Sequence, residues 1–233
     1  LSKVLPRQSE NGEFKPTYMA DFYLRLCQEI GITGGNPRTE LPFSQKAVAD
    51  TYLKLQQAGI DPDRRIYLMH PGAGFGPSKR WPSSYFARLA EMLEEAYGGQ
   101  TGIIGAPSES TTAREIQTAS SAEIIDLTQA GIDLHLLKCL VSMSELLVST
   151  DSGPRHYGVA LGIPTVCLMG PTDPAYSTTD RPHDVVARIS VPCGPCQERQ
   201  CDRDHSCMTE LSPERVFACC EKAVQVKQGE HVA

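Results

Sequence analysis

Short apolar runs alternate with amphipathic stretches along residues 66–227 of the chain. The apolar runs are bounded by Gly, Pro or Ser, which is typical of strands buried on both faces of a sheet. They are RIYLMH, TGIIGA, EIIDL, ELLVST, PTVCLMG and DVVARIS. The stretches with helical periodicity are SSYFARLAEMLEEAYG, SESTTAREIQTA, DLHLLKCLVSMS, GPRHYGVALG and SPERVFACCEKAVQVK. Strands that alternate with helices predict an α/β fold, a Rossmann-like parallel sheet with helices on both faces.

The first 62 residues do not follow this alternation. Two amphipathic helices are predicted there, YMADFYLRLCQEIG and QKAVADTYLKLQQAG, with the Gly- and Pro-rich loop GITGGNPRTELP between them. So few elements cannot bury a core of their own. We therefore expect residues 1–62 to be the remnant of another domain plus a linker, residues 63–227 to be one domain, and residues 228–233 to be a tail.

Composition and charge narrow the class of protein. A chain of 233 residues with 40% apolar content can build a packed core. It contains no apolar run of about 20 residues and no apolar leader at its N-terminus, so we expect a cytoplasmic protein. The net charge is -6 and the Lys and Arg residues are scattered, which argues against nucleic acid as a partner.

The stretch HPGAGFGPSKRWP, residues 70–82, has the composition of a phosphate-binding loop but fits neither common type. Its glycines are spaced G-x-G-x-G, whereas a dinucleotide-binding fingerprint needs G-x-G-x-x-G and an acidic residue after the second strand. A P-loop needs Gly directly before its Lys, but Ser78 precedes Lys79. What remains is a glycine turn around Gly74 that allows close backbone approach, followed by a cation. Lys79 is therefore either a diphosphate ligand or a solvated loop lysine.

A second candidate loop, STDSGPRH, follows the strand ELLVST and opens a helix. Asp151 and Ser152 are candidate N-caps, and Pro154 suits the first helical turn. The free N–H groups and the positive end of the helix dipole form an anion site, although any helix also needs a cap. Both loops are expected at the carboxyl ends of the strands, where α/β sheets bind ligands.

Four segments occur in the order and spacing of a known family: HPGAGFGPSKRWP, IIGAPSES, STDSGPRHYGVALGIPTVCLMGPTDP and CGPCQERQCDRDHSCMTELSPERV. Over residues 17–227 the chain resembles the ADP-heptose:lipopolysaccharide heptosyltransferases, and most of all their heptosyltransferase II members. The resemblance implies a GT-B glycosyltransferase, in which two Rossmann-like domains face a cleft, and it identifies this chain with the C-terminal domain that binds the nucleotide sugar.

The resemblance also implies a reaction and its partners. The family transfers heptose from ADP-heptose to the inner core of lipopolysaccharide, and its N-terminal domain binds the lipid A–core acceptor and carries the catalytic base. We expect the chain to be the donor-binding part, inactive alone, and the full-length enzyme to be able to associate with the inner face of the inner membrane. The alternatives are a stand-alone nucleotide-binding module and a GT-B enzyme that uses another nucleotide sugar.

Residue roles carried over from the family begin with the diphosphate. Lys79 matches the lysine that neutralises the leaving ADP, and Ser152 and Gly153 match residues whose backbone amides hold the diphosphate. Asp151 either accepts hydrogen bonds from sugar hydroxyls or caps the helix. His156 either orients the loop or reaches a phosphate oxygen.

The remaining donor contacts are implied for both ends of the nucleotide sugar. Glu109 matches an acid that accepts from ribose hydroxyls, but it is also an ordinary helix-starting residue. Thr172 and Asp173 match the segment that borders the heptose, but they also suit a plain Pro-rich turn. Gly74 is expected to let the donor approach the backbone. The resemblance implies no metal or cofactor for the transfer.

Four of the nine cysteines cluster within 15 residues. Cys193 and Cys196 form a C-x-x-C pair, and Cys201, His205 and Cys207 complete a set that could ligate zinc. A second C-x-x-C knuckle, typical of strong zinc signatures, is missing. A structural zinc ion, reduced thiols that shape a loop, and disulfide bonds therefore all remain open.

Overall fold

The computed structural model describes residues 5, 9–10, 13–35 and 38–230. The first elements of the described residues are two short antiparallel strands, β1 (Ser9–Glu10) and β2 (Glu13–Phe14), followed by helix α1 (Met19–Glu29) and helix α2 (Gln45–Ala58). Of the predicted tail, residues 228–233, the structure describes only the backbone of residues 228–230, which continues the last helix, and the others lie outside the described residues. Helix α2 starts at Ser44, whose hydroxyl accepts from the N–H of Ala47, and it ends at Gly59 in the left-handed conformation.

A six-stranded parallel sheet forms the centre of the molecule, with strand order β5-β4-β3-β6-β7-β8. Its strands are β3 (Ile66–His70), β4 (Gln100–Ile103), β5 (Ile124–Asp126), β6 (Leu146–Thr150), β7 (Thr165–Leu168) and β8 (Asp184–Ala187). Every predicted apolar run overlaps one of these strands, and all neighbouring strands pair in parallel, so the predicted parallel sheet is confirmed. The order reverses between β3 and β6, which places a crevice beyond their carboxyl ends.

The predicted helices are also present. They are α3 (Ser83–Tyr97), α4 (Ser110–Thr118), α5 (Leu134–Ser142), α6 (Gly153–Leu161) and α8 (Pro213–Glu230). One short helix was not predicted, α7 (Ser206–Thr209), and it lies at the end of the cysteine-rich segment. Single 3₁₀ turns cover Pro77–Lys79, Pro107–Glu109 and Pro174–Tyr176.

The two faces of the sheet bury separate apolar cores, because alternate strand residues point to opposite sides. Met69 faces the core formed with α3, α4 and α8, and Leu68 faces the core formed with α2 and α5. Leu55 of α2 is fully buried in the second core. Helix α2, which the sequence places in a remnant plus linker, packs in this second core against α5, and the domain boundary expected at residue 62 stays a prediction. Helix α1 has no buried residue.

Candidate functional site

The loops after β3 and β6 meet at the crevice and are tied together by hydrogen bonds. Thr150, the last residue of β6, donates its hydroxyl to the carbonyl oxygen of Gly72. Ser152 lies 3.0 Å from the ring Nδ1 of His70, the last residue of β3. These contacts hold the two loops predicted to bind anions side by side at one edge of the sheet.

Lys79 is the cation of this site. It ends the 3₁₀ turn Pro77–Lys79 and is only 7% exposed. Its Nζ donates to Oδ2 of Asp151 at 2.6 Å and to the carbonyl oxygen of Asp151 at 2.8 Å, and it lies 4.8 Å from the ring centre of Phe75. The alternative of a solvated loop lysine is therefore wrong.

Asp151 is the main anion of the site and does not cap the helix. Its carboxylate accepts from Lys79, from the hydroxyl of Thr172 at 2.8 Å, and from the hydroxyl of Ser177 at 3.2 Å. Burial favours the neutral acid, but the hydrogen bond and charge of Lys79, aided by Thr172 and Arg155, hold the pKa of Asp151 below its ordinary value. The charged form is thus the stable one, and the helix-cap interpretation of Asp151 is wrong.

Helix α6 points its N-terminus into the crevice. Ser152 stands at the N-cap position, but its side chain makes no capping hydrogen bond and instead contacts His70 and, at 3.2 Å, Ser149. Within the described part of the chain, the backbone N–H groups of Gly153 and Arg155 have no acceptor. Gly153 is exposed, so the positive end of the helix is open to a ligand.

A cavity of about 430 Å³ adjoins this helix end. Its walls are mainly apolar, from Ile104, Leu127 and Leu137, and its polar groups include His70 and Glu109. The Glu109 carboxylate accepts from the N–H of Ala106 at 2.7 Å and lies 3.9 Å from Nε2 of His70. Burial lowers the pKa of His70, against the opposing effect of Glu109, so the imidazole is neutral near pH 7.

Of the three glycines in the loop after β3, two lie where a side chain has no room and one is open. A Cβ on Gly76 would collide with the backbone carbonyl oxygen of Arg199. A Cβ on Gly72 would collide with the Glu109 carboxylate and come within 2.7 Å of the His70 ring. A Cβ on Gly74 would meet nothing within 4 Å. Gly74, singled out in the sequence, therefore faces free space, whereas Gly72 and Gly76 are the glycines that close packing requires.

Among the described residues, the predicted site residues Asp173 and His156 make no hydrogen bond or ion pair with Lys79 or Asp151. Asp173 caps the 3₁₀ turn Pro174–Tyr176 by accepting from the N–H of Ala175 at 2.9 Å. His156 lies on an exposed part of α6, and its ring makes no hydrogen bond within the described chain. Their proposed contacts with the donor stay predictions.

Three residues that the sequence does not single out extend the Lys79–Asp151 cluster toward the protein interior: Arg155, Ser177 and Asp184. Arg155 is fully buried and donates through Nε and Nη2 to both oxygens of Asp184, at 3.1 and 2.9 Å. Its Nη1 donates to Ser177 at 2.9 Å and lies 3.8 Å from Oδ1 of Asp151. The sequence signals for this pair are that Asp184 is a charged residue at the start of the apolar run DVVARIS and that Arg155 is a charged residue inside the helix GPRHYGVALG.

The cysteine-rich segment supports the lysine loop through its backbone. Ser78 donates its N–H to the carbonyl of Arg199 and its hydroxyl to the carbonyl of Glu198, at 3.2 and 2.6 Å. The ring of His205 lies 2.6 Å from the carbonyl oxygen of Ser78. Arg199 also donates to the carbonyl of Phe75 at 2.7 Å. The position of Lys79 therefore depends on this segment.

All nine cysteines are free thiols in the structure. Cys193, Cys196 and Cys201 line one surface cavity. Cys207 is buried, and burial together with the three neighbouring thiols raises its pKa to about 11. No group of three or more His, Cys, Asp or Glu side chains in the described residues is arranged to hold a metal ion. The structure contains no disulfide bond among these cysteines, and the alternatives of a structural zinc ion and of reduced thiols that shape the loop stay open.

No helix in the described part of the chain combines the length and the apolar character needed to cross a bilayer.

The known proteins that the chain resembles in sequence are heptosyltransferases. Residues 20–206 match the sequence profile of Glycosyltransferase family 9 (heptosyltransferase). Lipooligosaccharide heptosyltransferase 2 of Haemophilus ducreyi is 32% identical over 77% of this chain and 50% of its own length. Lipopolysaccharide heptosyltransferase 2 of Escherichia coli K12 is 30% identical over 85% of this chain and 59% of its own length. The chain spans about half the length of the curated relatives it matches.

Solved structures confirm the predicted fold class. The glycosyl transferase family 9 structure from Veillonella parvula has a TM-score of 0.76 at 22% identity, over 91% of this chain and 61% of that one. The E. coli ADP-heptose lps heptosyltransferase II has a TM-score of 0.67 at 24% identity, over 81% of this chain and 54% of that one. With the profile matching most of its length, the chain belongs to glycosyltransferase family 9, the heptosyltransferases.

Proposed function

We propose that the chain binds ADP-heptose, as the donor-binding part of an enzyme that transfers heptose to the inner core of lipopolysaccharide. The observation that carries this proposal is the buried Lys79 beside the open N-terminus of α6. A cation and free backbone N–H groups at one point form a site for a diphosphate. Membership of the heptosyltransferase family supports heptose as the sugar, and the similar E. coli ADP-heptose lps heptosyltransferase II supports ADP as the nucleotide.

Lys79 stabilises the leaving group in this proposal. When the bond between the anomeric carbon and the diphosphate oxygen breaks, negative charge grows on the departing ADP. A preorganised cation and helix dipole in a partly dry site stabilise that charge more in the transition state than in the bound donor. Lys79 is not a base here, because its ammonium group is paired with Asp151.

The nucleoside is proposed to occupy the 430 Å³ cavity beside the same helix end. Its apolar walls suit the faces of a purine ring. The Glu109 carboxylate, whose side chain is 27% exposed, can accept hydrogen bonds from ribose hydroxyls. The heptose then lies toward Thr172 and Asp173, and the Asp151 carboxylate, which accepts from the Thr172 hydroxyl, can also accept from a sugar hydroxyl.

We assign acceptor binding to the half of the relatives' length that the chain does not span. The lipid A–core acceptor lies in a membrane, and we propose that the full-length enzyme works in the cytoplasm at the inner face of the inner membrane. A GT-B enzyme with another nucleotide sugar is the alternative.

Calorimetric titration of the purified chain with ADP, GDP and UDP tests the nucleotide, and ADP-heptose against ADP-glucose tests the sugar. We expect saturable binding that is tightest for ADP among the diphosphates and tighter for ADP-heptose than for ADP-glucose. Preference for UDP or GDP would favour the alternative donor, and absence of any nucleotide binding would contradict the proposal.

A further inference from the structure

A chain of four charges runs from the crevice into the core: Lys79, Asp151, Arg155 and Asp184. Lys79 and Asp151 are nearly buried, with side chains 9% and 12% exposed, and the side chains of Arg155 and Asp184 are completely buried. The charges alternate in sign. Asp151 lies between two cations, with Nζ of Lys79 at 2.6 Å and Nη1 of Arg155 at 3.8 Å.

Arg155 is oriented toward Asp151 as well as toward Asp184. Two of its nitrogens donate to the two carboxylate oxygens of Asp184, and the third, Nη1, donates to the hydroxyl of Ser177. That hydroxyl in turn donates to Oδ1 of Asp151 at 3.2 Å. Asp151 directly precedes Ser152, the N-cap residue of α6, and Arg155 lies in the first turn of that helix. The Ser177 hydroxyl thus bridges Arg155 and Asp151 through two hydrogen bonds.

This arrangement matters when a diphosphate binds. For Lys79 to turn toward a phosphate, it must give up at least part of its contact with Asp151. A carboxylate this buried would then be left without a counter-charge, and an unpaired buried charge is strongly unfavourable. Arg155, Ser177 and Thr172 remain on Asp151 after Lys79 has turned away.

We propose that Arg155, held in place by Asp184, is a positioning residue that compensates the charge of Asp151 when Lys79 engages the diphosphate of the donor. The inference rests on the proposed function, because it needs a diphosphate ligand at Lys79. Without Arg155, Lys79 is the only cation on Asp151. The diphosphate must then compete with the whole charge of Asp151 for the lysine, and its affinity falls.

The test compares ADP affinity in a double-mutant cycle, with thermal unfolding of each variant measured beside it. Arg155→Met should weaken ADP binding about tenfold, the scale of coupling between charges in contact. In an Asp151→Asn background the charge that Arg155 compensates is gone, so adding Arg155→Met should change the dissociation constant less than about twofold. If Arg155→Met weakens ADP binding equally in the parent and in the Asp151→Asn background, Arg155 only supports packing and the proposal is overturned. If Arg155→Met does not weaken ADP binding in either background, the proposal is overturned as well.

A second pair of variants keeps the test decisive if Arg155→Met does not fold, since that change leaves Asp184 buried without its partner. Ser177→Ala removes the bridge and no charge. It should weaken ADP binding about threefold in the parent and have no effect in the Asp151→Asn background. Losses that add in the two backgrounds would refute the coupling. If the parent chain does not bind ADP, the proposed function itself fails, and that outcome is distinct from ADP binding with additive losses.

Discussion

Replacing Asp151 with Asn separates the ion pair seen in the structure from a helix cap. Asn retains an oxygen that could cap a helix, so a capping role predicts almost no loss of stability. In the structure, however, the Asp151 carboxylate is the only partner within salt-bridge distance of Lys79 among the described residues. The substitution therefore leaves a cation that is only 7% exposed without its counter-charge.

The size of the loss follows from this burial. Removing one partner of a buried ion pair costs about 3–5 kcal/mol. Both side chains retain slight exposure, 9% and 12%, so we expect a loss near the lower end, about 3 kcal/mol in the free energy of unfolding. Urea unfolding at pH 7, followed by circular dichroism, measures this quantity directly.

The pH dependence gives a second, independent signature of the same pair. The pKa of Asp151 is held below its ordinary value of 3.8, so its contribution is fully present above that value and is lost as pH falls through the lower folded-state pKa. The difference between the parent and the Asn variant should therefore be constant from pH 8 to about pH 4 and shrink below it.

Asp173→Asn is the matched control, because Asp173 accepts one backbone N–H in a neighbouring turn and Asn can replace that acceptor. It should cost less than about 0.5 kcal/mol. If Asp151→Asn is no more destabilising than Asp173→Asn, the ion-pair account of Asp151 is wrong.

Three further outcomes are expected. The parent should lose stability as pH falls below 6.5, because burial lowers the pKa of His70 in the folded state and the unfolded chain therefore binds a proton there first. His70→Gln should remove that part of the loss, and an unchanged curve of stability against pH would contradict this. Gly72→Ala should lower the free energy of unfolding by about 1–2 kcal/mol, whereas Gly74→Ala should change it by less than about 0.5 kcal/mol, because of these two positions only Gly72 lacks room for a Cβ. Equal effects of the two substitutions in urea unfolding would refute the packing described. At pH 8, iodoacetamide should alkylate the exposed Cys196 well before Cys207, whose pKa is raised to about 11, and mass spectrometry of the peptides would reveal the reverse order if this is wrong.

The sequence predicts the fold well because its signals are local. Runs such as ELLVST and PTVCLMG are short, apolar and bounded by turn residues, and both contain strands of the sheet. The placement of α2 depended on a tertiary contact: its pattern identifies a helix, but only the structure shows that Leu55 is buried against the sheet.

The site was predicted only in part for a similar reason. Lys79 and Asp151 could be selected from their loops, but the pattern around Asp151 suits a cap as well as an ion pair. The choice depends on where a lysine 72 residues earlier in the chain lies. Arg155 lies within the STDSGPRH segment, but nothing in the sequence marks its partner, and its pairing with Asp184 across 29 residues follows from the sheet topology.

The most direct test of the central claim, that Lys79 binds the diphosphate of a nucleotide donor, is the ADP affinity of the Lys79→Met variant. Calorimetric titration should show ADP binding weakened at least tenfold, the scale of a hydrogen bond to a charged group. Lys46→Met is the control, because the Lys46 side chain is 83% exposed and remote in sequence from the site, and it should bind ADP as the parent does. If Lys79→Met binds ADP as tightly as Lys46→Met, Lys79 does not hold the diphosphate and the proposed donor site is wrong.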